Sequence, residues 1–327
     1  MSTQVNMGSA IKVNKPAARE GAGSGIWLVM LGAALWGIDP LFRIILLKNF
    51  TSAQIVLLEH VIVALCMAPI LWRHRAELKG MRARHIGALL FISWGGSAIA
   101  TILFTMGLSA GGNMNAVLLL QKLQPLFVII MARMLLKERL PRLFGPFFLI
   151  ALVGTYVLAF GFTIPVGHWQ DFIQTGSLFS LGAAALWGGS TVMGRLTLDK
   201  FKYETVTSLR FILALPLLLG LAWNEGAAWH LPTGLADNAA VWGNLLAQAL
   251  LPGLFSLLVY YKGLTTTKAS VATLAELSFP MVGVIVTWFS RHQMVTIAEL
   301  TGFLLIWAAL YFLSRQKDAA APLKKAV

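Results

Sequence analysis

The amino-acid sequence predicts an all-α integral membrane protein, with ten transmembrane helices arranged as two inverted five-helix repeats. Three observations carry that prediction. The 327-residue chain is 57% hydrophobic and only 12% charged, with a mean hydropathy of +0.75. Soluble domains carry about twice that charge. Ten apolar runs follow one another, each near the ~20 residues that cross a bilayer. The third observation is an internal repeat. Leu35-Trp36-Gly37 returns as Leu186-Trp187-Gly188, 151 positions later, and Phe50 to Glu59 runs parallel to Phe201 to Arg210 at the same shift. Pro125 meets Pro280 at a shift of 155, and Gly107 meets Gly263 at 156. One unit is written twice, with a small insertion in the second copy. In an apolar chain such a repeat points to transporter architecture.

Residues 1–25 are polar and small, and read as a cytoplasmic tail with a flexible Gly-rich end. They lack the apolar core and cleavage site of a signal peptide. The first repeat, 26–163, holds spans at 26–47, 51–72, 86–108, 114–136 and 144–163. The second, 176–314, holds spans at 176–196, 204–223, 241–262, 268–290 and 297–314, and residues 315–327 form a second tail. Helices are expected throughout, because runs of this length exceed transmembrane strands and lipid cannot satisfy an open backbone. The loop after span two carries Arg73, Arg75, Lys79, Arg82 and Arg84, and the loop after span four Lys137, Arg139 and Arg142. Arg315, Lys317, Lys324 and Lys325 follow span ten on the same side, whereas the opposite loops hold Lys48 and Arg291 with Glu225 and Asp237. The positive-inside rule then places both termini in the cytoplasm. An odd number of spans per repeat makes the second copy start from the opposite face, so the copies are inverted.

The net charge of +13 sits in short loops, where it sets topology, and nucleic acid is not an expected partner. Cys66 is the sole cysteine, so no internal disulfide or cysteine cluster forms. The chain contains no His-Glu-x-x-His, Gly-x-Ser-x-Gly or Walker sequence, and its six histidines are scattered. No enzyme activity, cofactor or metal site is therefore expected.

Charges inside the spans are more informative, because each costs about 2.5–3.5 kcal/mol to insert. They are Asp39, Arg43, Glu59, Lys122, Arg210 and Glu276. Asp39 and Arg43 stand at i, i+4 on one helix face and suit a local ion pair. Glu59 and Arg210 hold equivalent repeat positions, each roughly 12 Å from its own face of a ~30 Å core. That depth difference argues against a direct bridge, and each is expected to pin its own repeat through polar neighbours. Lys122 and Glu276 differ in depth by only roughly 6 Å, which allows a structural ion pair or a shared substrate contact. Gly37 and Gly188 are expected where helices approach closely.

Taken together, the pattern resembles the drug/metabolite transporter superfamily, specifically its bacterial EamA-type exporters. The resemblance covers residues 26 to 314. It rests on Ala34-Leu35-Trp36-Gly37, Leu186-Trp187-Gly188, Arg210, the apolar segments around Pro125 and Pro280, and Lys137-Glu138-Arg139-Leu140 before Gly145. The chain departs from the pattern at Glu59, where first-repeat members often place Arg. It departs again at Arg291-His292-Gln293-Met294, which lacks a counterpart of Glu138. The resemblance implies a secondary transporter of the bacterial inner membrane that exports small metabolites, amino acids among them, by alternating access. Multidrug or toxic-compound export and a passive channel are the alternatives. It also implies that spans three, four, eight and nine line a central cavity. Candidate substrate-binding residues there are Lys122, Glu276, Gln121, Trp94, Ser97, Thr101, Tyr260 and Ser256. Glu59, Arg210, Asp39 and Arg43 are assigned to coupling or to structure. The partners implied are a small-molecule substrate, the lipid bilayer and a coupled proton or substrate gradient, with the chain as monomer or homodimer.

Overall fold

A computed structural model describes residues 22–110, 114–163, 173–278, 282 and 296–316, and all regular structure among them is helical. The first span is two helices, α1 (Ala22–Trp36) and α2 (Asp39–Leu46). Helix α3 (Ser52–Arg73) starts at a capping box, in which Thr51 accepts from Gln54 N and the Gln54 side chain accepts from Thr51 N. Then come α4 (Ala83–Ser109), α5 (Met114–Gln121), α6 (Gln124–Leu136) and α7 (Phe144–Phe160), which stops at Gly161 with φ +69°. The second copy supplies α8 (Thr175–Thr197), α9 (Tyr203–Ile212), α10 (Leu215–Glu225) and α11 (Leu235–Leu264). Helix α12 (Ala269–Ala275) tightens into a 3₁₀ turn at Glu276–Ser278, and α13 (Ile297–Ser314) begins at a Thr296–Glu299 capping box.

Among the described residues six helical stretches are long and apolar enough to cross a membrane: Gly25–Leu46 (α1 with α2), α3, α4, Tyr203–Glu225 (α9 with α10), α11 and α13. Gln124–Leu136 and Phe144–Leu158 are shorter apolar helices. Three of the runs expected to be continuous are broken. The first, fourth and seventh spans interrupt after Trp36, Gln121 and Ile212, each shortly before a proline, Pro40, Pro125 or Pro216. Proline has no N–H to give to the preceding turn and its ring crowds that turn's carbonyl. The Gly-rich end of the expected tail also differs, since α1 already begins at Ala22. Pro280, Asn113, Trp169, Trp288, the Arg291–Met294 link and the tails 1–21 and 317–327 lie outside the described residues.

Among the described residues, several contacts between the two copies recur with the copies exchanged. Helix α1 packs on the end of α11, and its equivalent α8 packs on the end of α4. Helices α3 and α9, and α7 and α13, pair across the same divide. Glycines set the distances. A Cβ on Gly107 would lie 3.0 Å from Gly176 O, and one on the equivalent Gly263 would lie 2.5 Å from Gly25 O. Gly154 and Gly302 face each other in the same way. Small residues allow this backbone approach in lipid. Gly188 fits the expectation, since a Cβ there would sit 2.9 Å from Phe127 Cβ. Gly37 stands instead in the α1–α2 break, and the close approaches of α1 are made by Gly25 and Gly32.

Loops of the first copy also cap helices of the second. Glu138 accepts from Ala269 N, Ser270 N and Ser270 Oγ at 2.8–3.1 Å. Glu77 accepts from Lys202 N and Thr205 Oγ at 3.0 and 2.9 Å. A carboxylate on these otherwise orphaned N–H groups is favoured by the helix dipole.

Gly263→Leu should therefore lower the unfolding midpoint and the folded yield, since overpacking costs about 1–3 kcal/mol. Gly243→Leu, where a Cβ meets nothing within 4 Å, should be neutral. Size-exclusion profiles after heating in detergent check the pair, and equal profiles would remove the argument for tight α1–α11 packing.

Candidate functional site: a cavity between the repeats

The helix breaks and wide turns converge on one central cavity. The α1–α2 break presents Trp36, Asp39 and Arg43, and the α5–α6 break presents Gln121, Lys122 and Gln124. Helix α4 widens into π-helical turns over Phe91–Ile99, and α11 does so over Ala249–Phe255 around Pro252. Such turns loosen the i→i−4 ladder and are frequent at functional sites. The space between the lining atoms totals about 1120 Å³, open solvent at the mouth included.

The lining is drawn from equivalent positions of both copies. Trp36 and Trp187, Glu59 and Arg210, His60 and Phe211 all face it at the shift of 151. So do Phe104 and Tyr260 at 156, and Gln121 and Glu276 at 155. The rings of His60 and Phe211 meet 4.8 Å apart. The aromatic walls repeat as well: Trp36 packs on Tyr260 at 5.0 Å, and Trp187 on Phe104 at 5.3 Å.

Three polar clusters sit between those walls. In the first, Arg43 Nε meets Asp39 Oδ2 at 2.5 Å and Nη2 meets Glu59 Oε2 at 2.8 Å. Gln248 closes it, its amide oxygen 3.0 Å from Arg43 Nη2 in the orientation that matches donor to acceptor. In the second, Arg210 donates to Ser97 Oγ (3.0 Å), Ser190 Oγ (3.2 Å), Tyr261 OH (2.9 Å) and Gly96 O (3.2 Å). In the third, Glu276 accepts from Tyr260 OH (2.6 Å), Gln124 Nε2 (2.5 Å) and Thr191 Oγ1 (3.4 Å). Among the described residues no group of three His, Cys, Asp or Glu side chains is placed to hold a metal.

Lys122, Glu276, Gln121, Ser97, Thr101 and Tyr260 line the cavity, as do all four residues assigned to coupling or structure. Two candidates do not. Trp94 turns outward from the wide turns of α4, 43% exposed, and its indole donates to Leu213 O at 2.9 Å. Ser256 is buried in the wall, donating to Pro252 O beneath Gly32. The Asp39–Arg43 pair is not merely local, because it reaches Glu59 on α3. Glu59 and Arg210 form no bridge with each other: Glu59 pairs with Arg43, and Arg210 donates to hydroxyls and a carbonyl. Arg210 does not pin its own copy alone, since Ser97 and Gly96 belong to the first repeat. Sequence reasoning offers Gln124 as a polar point of the cavity and Trp36 and Trp187 as an aromatic wall, whereas Phe104 and Thr191 are lining residues that it leaves out. The repeat shift itself held the signal for Phe104, which is the equivalent of Tyr260.

Residues 23–160 and 174–315 match the model of the EamA-like transporter family. The chain is 27% identical over 294 residues to the riboflavin transporter ImpX of Fusobacterium nucleatum, covering 89% of this chain and 97% of that one. It is also 27% identical over 241 residues to a riboflavin transporter of Rhizobium johnstonii, with 72% and 71% covered. A crystal structure described only as that of a protein shares the fold, with a TM-score of 0.71 at 18% identity over 89% of this chain and 98% of that chain.

Removing the cation from the first cluster leaves two carboxylates facing each other. Arg43→Met should destabilise the protein by about 3–5 kcal/mol. The neutral combination Asp39→Asn, Arg43→Met, Glu59→Gln should recover most of that. Thermal unfolding in detergent measures both, and a single variant as stable as the parent would show that the clamp contributes nothing.

Proposed function

The chain belongs to the EamA-like transporter family, and on that premise we propose that it carries a flat, polar, uncharged aromatic molecule of the flavin class across a bacterial inner membrane. One observation carries the reading: the two aromatic walls, Trp36–Tyr260 and Trp187–Phe104, flank a cavity whose formal charges cancel. Asp39, Glu59 and Glu276 balance Arg43, Lys122 and Arg210. Flat rings stack between aromatic faces, and a neutral set of fixed charges favours a neutral solute with many hydrogen-bonding edges. The riboflavin transporters among its relatives point the same way. A zwitterionic amino acid is the second reading, favoured by Lys122 and Glu276 on the lining of one cavity.

In this proposal ten spans form two inverted repeats, 26–163 and 176–314, with both termini cytoplasmic. The repeats rock about the cavity and open it to one side at a time. Net movement follows the substrate gradient or a coupled proton, and Glu276, ringed by hydroxyl and amide donors, is the carboxylate best placed to carry that proton.

Purified protein in proteoliposomes should accumulate labelled riboflavin faster when unlabelled riboflavin waits inside. Trp36→Ala and Trp187→Ala should each weaken apparent affinity roughly tenfold. Absence of flavin exchange alongside amino-acid exchange would move the assignment to the second reading, and flux without counterflow would indicate a channel.

Topology is checked with single cysteines in a Cys66-free background. A cysteine within 226–234 should react with an impermeant reagent added to intact cells, and one within 79–82 should not. The reverse pattern would overturn the orientation.

A further inference from the structure

The two arginines of the cavity are answered in different ways. Arg43 lies between two carboxylates. Arg210, which also lines the cavity, has no carboxylate within 4 Å among the described residues and is held by three hydroxyls and one carbonyl. A guanidinium carries five N–H donors. Four meet protein acceptors here, and the fifth, on Nη2, has none among the described residues. The cavity therefore keeps one electropositive corner with one donor to offer.

That single donor restricts the ligand group. A carboxylate or phosphate is held best through two parallel N–H groups of the same fork, and this fork has one left. A lone carbonyl oxygen needs only one. Position fits too. Ser190, which Arg210 Nη1 bonds, stands one helical turn from Trp187 on the same face of α8. A ring stacked on Trp187 thus brings its edge to Arg210.

Resting on the flavin-class reading above, we propose that Arg210, held in place by Ser97, Ser190 and Tyr261, is the specificity-determining residue that receives a ring carbonyl of the substrate's imide edge. It sorts flat aromatics by whether they carry that carbonyl, while the aromatic walls take any ring of the right size.

The test compares ligands on the intact protein. Riboflavin binding is read by equilibrium dialysis, with two competitors: lumichrome, which keeps the ring and its imide but no sugar-alcohol chain, and phenazine, a flat three-ring molecule without carbonyls. The parent protein should bind lumichrome at least roughly tenfold more tightly than phenazine, the worth of one charge-assisted hydrogen bond. Arg210→Gln should bring lumichrome down to the level of phenazine and leave phenazine unchanged. Equal competition by the two in the parent protein overturns the proposal, and so does an Arg210→Gln variant that still prefers lumichrome. If Arg210→Gln does not fold, the parent comparison decides alone. A parent protein that binds no flavin at all removes the flavin reading itself, a failure distinct from flavin binding without preference for the imide.

Discussion

Arg43 is clamped between Asp39 and Glu59 at 2.5 and 2.8 Å, and much of the architecture around the cavity depends on that clamp. A charge in hydrocarbon must be answered inside the protein. The clamp answers one cation with anions from two spans, so it ties α2, which leaves the α1 break and packs along α11, to α3. With α2 in place, Trp36 sits at the end of α1 against Tyr260, and the first aromatic wall is set. The second wall has no such clamp. There Arg210 does the joining, tying α9 to α4, α8 and α11 through neutral groups.

Much of this was legible in the sequence. The repeat shift located the equivalent helices, and a duplicated fold reuses its close approaches, as Gly107 with Gly176 and Gly263 with Gly25 show; of the two glycines that the sequence marked for such contact, Gly188 makes one and Gly37 stands in a helix break. Intramembrane charge located the cavity, because Asp39, Arg43, Glu59, Lys122, Arg210 and Glu276 all had to converge where they could be hydrated or paired.

The rest was hidden for physical reasons. Counting 1.5 Å per residue gives depth along a helix and says nothing of lateral neighbours, so the Arg43–Glu59 bridge could not be read from spacing. Facing directions in α4 follow π-helical turns, so a regular helical wheel misplaces Trp94. Prolines were visible, but Pro40, Pro125 and Pro216 follow breaks whereas Pro69 lies inside the continuous α3.

The cavity is built from equivalent positions of two copies that no longer match in chemistry. Two identical halves would offer every ligand a pair of indistinguishable poses, related by the pseudo-twofold. Glu59 opposite Arg210 and His60 opposite Phe211 remove that degeneracy. If this cavity carries the solute, as proposed above, a molecule with distinct ends has one head and one tail in it. Such a molecule would travel with a defined polarity, presenting the same end to the same half whichever side of the membrane it came from.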